Sequence, residues 1–266
     1  MKFKSLLIIV GVIVLSSCDS PQKEEQKTTE LNEVTPARVL SKADSIIQKS
    51  IRFHGQTKID GLDLSFTFRG TEYDALIDST DFVYTRSFTN AEDQTVVDQL
   101  NNEGFIRWID GEVQELEAKY VDAYSASVNG VMYFTLLPWK LNDPAVISTY
   151  SGLDTLGDQF YHRIKVTFSE NGGGEDFEDE FMYWFKVKSG EMDFLAYSYK
   201  EKEVGMRFRA AKGKIRLGDV LFQQYDNYKI DPKKYALEDL LKAFSNKKLT
   251  LLSEIINEDI TLITKE

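Results

Sequence analysis

Short segments in which apolar and polar residues alternate recur along this sequence and restrict its fold more than any other feature. In the clearest one, residues 62–69, Leu, Leu, Phe and Phe alternate with Asp, Ser, Thr and Arg. Side chains along a β-strand point alternately to its two faces, so this pattern predicts a strand buried on one face, as in antiparallel sheets. We predict further strands at residues 73–77, 82–88, 95–100, 105–109, 160–168, 181–187, 192–200, 204–210 and 214–225.

An amphipathic helix is predicted ahead of these strands. Thr35 suits the N-cap, Pro36 suits the first helical position, and Gly55 is placed to end the helix. The predicted apolar face consists of Val39, Leu40, Ala43, Ile46, Ile47, Ser50 and Ile51.

A second helical region, residues 113–137, separates the two groups of strands. Asn129-Gly130 is a candidate break within it, Pro138 stops it, and residues 139–144 are predicted to form a loop. Its helically spaced residues are Leu116, Tyr120, Ala123, Tyr124 and Ser127. A short amphipathic helix is predicted at residues 237–244, while the apolar run 249–263 fits either a helix or a strand.

This order of elements predicts an α+β domain. A helix is followed by five strands, helices, five or six strands and a helix, and runs of strands interrupted by helices favour an antiparallel sheet. The sequence lacks the alternating βα units of a Rossmann domain or a (β/α)₈ barrel.

The first eighteen residues predict export and lipid attachment. Lys2 and Lys4 precede an apolar run, residues 6–15, which is shorter than the roughly 20 residues that span a bilayer. The sequence Leu15-Ser16-Ser17-Cys18 then resembles the lipobox of bacterial lipoproteins, where a signal peptidase cuts before the cysteine. We therefore predict a signal peptide at residues 1–17 and acyl chains, palmitate among them, on Cys18. Cys18 is the only cysteine, so the mature chain is expected to have neither a disulfide nor a cysteine-based metal or catalytic site.

Residues 18–34 are predicted to be the lipidated cysteine and a flexible tether, because they lack aromatic residues and are rich in Gln, Lys, Glu and Thr. Within them, residues 22–25 (Gln-Lys-Glu-Glu) fit either plain tether chemistry or a signal for the outer face of the outer membrane. The domain is predicted to occupy residues 35–266.

The charge of the chain excludes nucleic acid as a partner. Of 32 basic and 43 acidic residues, cleavage removes only Lys2 and Lys4, which leaves 30 basic residues and a net charge of about −13. A surface this acidic does not seek anionic headgroups either. We therefore expect contact with the outer membrane through the lipid alone, with the domain facing the periplasm or the cell surface.

Several segments together carry a resemblance to a known superfamily. The chain resembles the lipoprotein carriers of the LolA and LolB type and, more closely, a group of uncharacterised envelope lipoproteins of diderm bacteria with that architecture. The matching segments are residues 66–70 with Tyr73, 131–134, 137–139, 142–146, 183–184 and 207–209.

The resemblance implies a strongly curved, unclosed antiparallel sheet, a half-barrel, that wraps around helices and holds acyl chains in an apolar cavity. A protein fixed to the membrane cannot shuttle, so a resident binding protein is expected, with a hydrophobic small molecule or lipid as ligand and Leu137 and Trp139 in a lid. The candidate ligand-binding residues are Phe66, Phe68, Leu137, Trp139, Phe168, Phe181, Tyr183, Phe185, Phe194 and Phe208.

Three arginines alternate with aromatic residues in the predicted strands: Arg69, Arg207 and Arg209. We expect each to face away from the apolar side of its strand and to form an ion pair with a carboxylate on the outer face of the sheet. The alternative is contact with an anionic headgroup at the mouth of a cavity.

The residues that usually carry catalysis or bind metals are sparse. His54 is predicted to be a helix cap or a satisfied structural histidine, and His162 a buried histidine pointing inward with Phe160 and Ile164. Two separate histidines do not form a zinc site, and neither a Gly-x-Ser-x-Gly nor a phosphate-binding loop is present. The loop 172–180, Gly-Gly-Gly followed by acidic residues around Phe177, is predicted to be a solvated hairpin tip, with calcium binding as the alternative. We expect no cofactor, no metal and no enzymatic activity.

Two other functions remain compatible with the sequence. The domain could be an envelope interaction module with a filled core, or, more remotely, a hydrolase that uses carboxylates. Neither the ligand nor the oligomeric state follows from the sequence.

Overall fold

The computed structural model describes residues 40–59, 61–78, 81–170, 178–200 and 204–264. The predicted signal peptide, Cys18, the tether and the predicted N-cap Thr35 lie outside these residues. In the described part of the chain, no helix is long and apolar enough to cross a membrane.

The first described helix, α1 (Lys42–Phe53), begins later than its sequence pattern predicted. Ser41 is the N-cap: its hydroxyl accepts a hydrogen bond from the Asp44 backbone (3.0 Å), and the Asp44 carboxylate accepts one from the Ser41 backbone (3.3 Å). This reciprocal capping box satisfies two backbone N–H groups and fixes the start of the helix. Leu40 therefore precedes α1 and is half exposed, whereas Gly55 follows its C-cap, as predicted.

Six consecutive strands form an antiparallel meander in a first sheet, which an additional C-terminal strand completes. They are β1 (Leu62–Phe68), β2 (Thr71–Asp78), β3 (Asp81–Thr89), β4 (Thr95–Asn101), β5 (Gly104–Ile109) and β6 (Glu112–Val113). The five strands predicted between residues 62 and 109 are all present.

A second antiparallel meander forms the second sheet. It contains β7 (Val146–Leu156), β8 (Gln159–Phe168), β9 (Glu180–Lys186), β10 (Met192–Lys200), β11 (Val204–Leu217) and β12 (Val220–Lys229). Strand β7 was not predicted: it is an edge strand without a fully buried residue, so its polarity does not alternate cleanly. The predicted strands 204–210 and 214–225 have the wrong boundaries, because β11 continues through Lys212-Gly213 with an irregular pairing and the chain turns at Gly218.

The C-terminal segment joins the two sheets. Strand β13 (Thr250–Ile255) pairs with β12, and after only Ile256 and Asn257 strand β14 (Glu258–Thr264) pairs with β1. The run that fitted either helix or strand is thus two strands. The strands thus form two antiparallel sheets that are connected through the β13–β14 segment, which confirms the predicted α+β class and the unclosed architecture.

Helix α2 (Ala118–Thr135) packs against the inner faces of both sheets. Val128 and Met132 pack with the first sheet, for example with Leu64, whereas Tyr133 and Phe134 pack with the second. The helix continues through Asn129-Gly130, so the predicted break is absent, and its buried residues are not those of the predicted face. Helix α1 covers the rest of the inner face of the second sheet.

The outer face of the second sheet is also apolar. Helix α3 (Leu240–Ser245), predicted from its spacing, packs there against Trp184 and Phe208. Strands β9 to β11 are therefore covered on both faces, by α1 and α2 inside and by α3 outside.

Candidate ligand-binding site

Two clefts open on the inner faces of the two sheets, on either side of a stripe of residues on α2. The stripe consists of Ala126, Gly130 and Phe134, which are four residues apart and so share one side of the helix. One cleft, of about 600 Å³, is named the arginine cleft after Arg69, Arg207 and Arg209 in its wall. The other, of about 620 Å³, is named the aromatic cleft. Both volumes are typical of small-molecule sites, roughly 300–1,000 Å³.

Small residues on α2 explain why the clefts exist. A helix that packs through large side chains fills the groove beneath it, whereas Ala126 and Gly130 leave it open. A Cβ atom added to Gly130 would have no neighbouring atom within 4 Å. Gly130, which was predicted to break the helix, thus provides space beside an unbroken helix.

Seven aromatic side chains line the aromatic cleft: Phe82, Tyr133, Phe134, Phe168, Phe181, Tyr197 and Tyr199. Phe181 stacks on Tyr197 with ring centroids 5.4 Å apart, and Phe168 meets Phe181 edge-on at 5.6 Å. Such pairs favour a fixed arrangement of the rings. The cleft wall is therefore a preformed apolar surface.

The tyrosines beneath this wall are uncharged at neutral pH. The hydroxyls of Tyr133 and Tyr183 are hydrogen-bonded to each other at 2.6 Å, and burial raises the pKa of both. The pair satisfies two buried polar atoms without adding charge. Charged side chains of this cleft include Asp122 and Lys200, which are exposed, and Arg207.

The arginine cleft has a different chemistry. Phe68, Val131, Leu252 and Ile255 supply apolar surface, and no Asp or Glu is present among its described lining residues. Neutral polar groups complete the wall, including Asn227, whose side-chain N–H donates to the Ser253 hydroxyl at 3.1 Å while its carbonyl oxygen is buried without a described partner.

Arg209 is the most buried of the three arginines, at 7% exposure. Its guanidinium lies over the Phe134 ring, 3.7 Å from the centroid, and donates a hydrogen bond to the Tyr197 hydroxyl at 3.1 Å. Its Nε is buried and has no hydrogen-bond acceptor among the described residues. Within the same set, no carboxylate lies within ion-pair distance of Arg209.

Arg207 and Arg69 are also free of ion pairs in the described ranges. Arg207 lines both clefts, lies 5.3 Å from the Tyr199 ring and donates to the Met206 carbonyl. Arg69 lies in the turn after β1, 5.0 Å from the Phe68 ring. The expectation that these three arginines pair with carboxylates on the outer face is therefore wrong, since they line an inner cleft.

The predicted ligand-binding residues are distributed over three environments. Phe68, Phe168 and Phe181 line the clefts. Phe66, Tyr183 and Phe185 belong to the inner core behind them, where Phe66 stacks on Tyr73 at 5.4 Å. For these six residues a role in binding stays a prediction.

Phe194 and Phe208 lie on the opposite face of the sheet, so their placement on the concave face was wrong. Both pack with α3 in the outer core, where the ring centroids of Phe194 and Phe208 are 5.7 Å apart. An alternating pattern separates the two faces of a strand but does not say which is inside when both are apolar. The inner face of β10 and β11 carries Tyr197, Arg207 and Arg209 instead.

Leu137 and Trp139 belong to a packed connection and do not line either cleft. Leu137 is buried in the core beneath α1, and Trp139 packs with the first sheet. The buried Gln56 side chain donates to the Leu137 carbonyl (3.2 Å) and accepts from the Trp139 backbone (2.8 Å). These contacts place both residues in the framework, and a lid function remains only a prediction.

Five aromatic residues of the aromatic cleft were missed as ligand candidates: Phe82, Tyr133, Phe134, Tyr197 and Tyr199. Tyr197 and Tyr199 do alternate with Phe194 and Ala196 along β10, and Tyr197 pairs with Arg207 across the strands. The pairing of tyrosines with arginines on one face was the available signal.

The two histidines are structural or peripheral to the clefts. His54 is fully buried as the C-cap of α1, its Nδ1 lies 3.4 Å from the Leu221 carbonyl, and its Nε2 accepts from the Met192 backbone at 3.4 Å. Burial lowers its pKa to about 4, so it is neutral. This confirms the prediction for His54. His162 is half buried against Tyr150 (5.8 Å), whereas Phe160, expected to point inward with it, is 60% exposed.

The proposed calcium loop is described only in part, because residues 171–177 lie outside the described ranges. Among the residues that are described, no group of three His, Cys, Asp or Glu side chains is arranged to hold a metal ion.

Solved structures with a similar fold include a LolA superfamily protein from Nitrosomonas europaea. That protein is 6% identical, with a TM-score of 0.50, and the match covers 85% of this chain and 95% of the other. A DUF1329 family protein from Desulfovibrio piger is 9% identical, with a TM-score of 0.44 and coverage of 71% and 87%. The lipoprotein LppX of Mycobacterium tuberculosis is 10% identical, with a TM-score of 0.26 and coverage of 58% and 86%.

No curated protein sequence matches this chain. Residues 35–257 match the sequence profile of a family of unknown function, DUF6503. The predicted carrier-type architecture is confirmed by the match to the LolA superfamily structure. The chain belongs to the DUF6503 family and has the fold of the LolA superfamily.

Proposed function

We propose that this protein is a non-catalytic binding protein of the cell envelope that holds an acyl chain or lipid beneath helix α2. The observation that carries the proposal is the aromatic cleft, about 620 Å³ in volume and walled by Tyr133, Phe134, Phe168, Phe181 and Tyr197. A cleft of this kind is the feature that the resemblance to lipoprotein carriers implies.

Burial of apolar area supplies the binding energy. Each methylene removed from water contributes about 0.8 kcal/mol before the costs of association. An acyl chain therefore gains several kcal/mol by lying on rings that are already held in place by their mutual contacts. Burial raises the pKa of Tyr133, so this tyrosine of the wall is uncharged at neutral pH.

Membrane attachment through Cys18 is part of the same proposal. The lipobox of residues 15–18 and the following polar segment support a protein fixed to the outer membrane by acyl chains, with its domain in the aqueous compartment. Such a protein receives or presents a lipid at the membrane instead of carrying it across the envelope.

The two alternatives find less support in the geometry. An interaction module with a filled core has no use for two open clefts of this size. A carboxylate hydrolase requires acidic groups at the site, and the described wall of the arginine cleft has none. The acidic residues of the aromatic cleft are Asp122, which is exposed, and Asp179.

The test is binding of a fatty ligand to a chain that carries no covalent lipid. The full chain with Cys18→Ser is incubated with radiolabelled oleate, separated from free ligand on a desalting column, and the retained label is counted. We expect saturable binding of about one oleate per chain.

A matched pair of α2 variants places the ligand. Ala126 lines both clefts, whereas Ala123, three residues earlier, is exposed and lines neither. Ala126→Phe fills the space and should abolish retention, and Ala123→Phe should bind as the parent does. Absence of saturable retention in the parent chain, or equal binding by both variants, would overturn the proposal.

A further inference from the structure

We infer that the arginine cleft is the headgroup site for the same ligand, and that it selects lipids with an anionic headgroup, a carboxylate or a phosphate. This inference rests on the proposed function and adds the chemical class of the ligand. It starts from Arg209, a buried cation without a described counter-ion.

Burying a guanidinium without an anion is unfavourable unless something else compensates. Three other partly or wholly buried arginines follow the usual solution: Arg86 and Arg107 both bind the Asp98 carboxylate, and Arg163 binds Asp154 at 3.1 Å. Arg209 instead has the Phe134 ring and one tyrosine hydroxyl, neither of which neutralises its charge.

The composition of the cleft strengthens this reading. The chain has 43 acidic residues against 32 basic ones, yet none of the described residues that line the arginine cleft is acidic. The acidic residues of the adjoining strands are directed elsewhere: Asp226 and Glu254 both bind Lys212. Three arginines in a cleft without acids therefore create a local positive field on an acidic protein.

Arginine suits this role because its planar fork donates two parallel hydrogen bonds to a carboxylate or phosphate. The Asn227 and Ser253 side chains add neutral hydrogen-bonding groups to the same wall. A bound anion would supply hydrogen-bond acceptors that Arg209 Nε does not find among the described residues.

The two clefts are arranged so that one lipid could occupy both. Ala126, Gly130, Phe134 and Arg207 are common to their linings. With no side chain at Gly130, an acyl chain can pass from a headgroup held by Arg209 and Arg207 into the aromatic cleft. Phe134 contacts Arg209 on one side and Phe181 and Tyr197 on the other, so it lies where headgroup and chain would meet.

The experiment compares two ligands that differ only in the headgroup. Radiolabelled oleate and oleyl alcohol share a chain length and one double bond, but only oleate is an anion. Each is titrated into the full Cys18→Ser chain and into its Arg209→Gln and Arg216→Gln variants. Arg216 lies on the same strand but is exposed and lines neither cleft, which makes it the matched control.

We expect the parent chain to bind oleate at least tenfold more tightly than the alcohol, as one charge-assisted contact is sufficient for about that ratio. Arg209→Gln should remove most of this preference while changing the affinity for oleyl alcohol by less than about twofold. Arg216→Gln should leave both affinities as in the parent. A circular dichroism melt of each variant confirms that the binding change occurs in a folded chain.

Contrary outcomes separate this inference from the proposed function. Equal binding of oleate and oleyl alcohol by the parent would overturn the headgroup site and leave the lipid-binding function intact. If the parent chain binds neither oleate nor oleyl alcohol, both the headgroup site and the lipid-binding function are overturned. A third arm uses inorganic phosphate alone: saturable phosphate binding that is lost in Arg209→Gln, without oleate binding, would assign the cleft to a free anion and overturn the lipid assignment.

Discussion

The guanidinium of Arg209 is stacked 3.7 Å from the centroid of the Phe134 ring, which connects strand β11 to helix α2. Because Phe134 belongs to the walls of both clefts, this contact lies at their boundary. A cation on a desolvated ring contributes about 2 kcal/mol, which is less than the several kcal/mol that an unpaired buried charge costs. The contact therefore only partly offsets the burial of Arg209.

That balance makes a prediction about Arg209→Met. Methionine keeps apolar contact with the Phe134 ring and removes the unpaired charge, so the free energy of unfolding should rise by about 1 kcal/mol. Urea denaturation of the Cys18→Ser chain with and without the substitution measures the difference. A loss of more than about 1 kcal/mol would mean that Arg209 stabilises the fold and is not held ready for an anion.

Asp98→Asn should have the opposite effect. Asp98 is completely buried and binds both Arg86 and Arg107, with Arg107 Nε at 2.6 Å, and this hydrogen bond raises the pKa of Arg107. Loss of the carboxylate charge leaves two cations without a counter-ion, and we expect a loss of about 3–5 kcal/mol in urea denaturation. Asp154→Asn is the comparison, since its partner Arg163 is less buried. Equal losses in both variants would contradict the special role of Asp98.

Gly130→Leu should change stability and ligand binding in opposite directions. Gly130 is within α2, and a Cβ atom there meets no neighbour, so the better helix propensity of leucine should add up to about 1 kcal/mol. The same side chain enters both clefts and should reduce oleate binding at least tenfold. Thermal melts and the desalting assay measure the two effects on one preparation. Ala123→Leu, on the exposed side of α2, should leave binding unchanged.

The sequence pattern predicted the strands better than it predicted the site, for a physical reason visible at Phe208 and Arg209. Alternation correctly placed these neighbours on opposite faces of β11, but the second sheet is apolar on both sides. The aromatic residues were therefore assigned to the inner face, whereas α3 covers them outside. Only the position of α3, a contact distant in sequence, decides which face is which.

The sequence could not predict the clefts, because they result from the absence of a side chain at Gly130. A glycine in an apolar helical pattern reads as a break, and nothing local indicates that tertiary packing keeps the helix intact. The start of α1 was placed too early, at Thr35, although Ser41 and Asp44 have the three-residue spacing of a capping box and supplied a local signal for the observed start.

Gly55→Ala should be among the most destabilising changes in the framework beneath the site. Gly55 has φ +68°, and a Cβ atom there would lie 1.8 Å from the Asp219 carbonyl oxygen, so α1 must move away from the turn between β11 and β12. Gly218→Ala is the matched control, with φ +56° but no neighbour within 4 Å. In urea denaturation, the free energy of unfolding should decrease by about 1–2 kcal/mol in Gly218→Ala, because of its left-handed backbone alone. The decrease should be clearly larger in Gly55→Ala. Similar losses in the two variants would show that the turn between β11 and β12 moves to accommodate the added Cβ atom without a free-energy cost.

The neutral His54 should make the fold sensitive to mild acid. Burial lowers its pKa from 6.5 to about 4 in the folded chain, whereas the unfolded chain binds the proton near 6.5. As the pH decreases, the histidine of the unfolded state is therefore protonated before that of the folded state. The contribution of His54 to the free energy of unfolding is largest above about pH 6.5 and decreases as the pH falls towards 4. Below about pH 4 this contribution does not decrease further. The difference in pKa corresponds to about 3 kcal/mol.

Urea denaturation at pH 4 to 7.5 should show this loss in the Cys18→Ser chain and a smaller one in His54→Gln. The half-buried His162, whose pKa burial also lowers, serves as the control. His162→Gln should keep most of the loss, and an unchanged pH dependence in His54→Gln would show that carboxylates cause it instead.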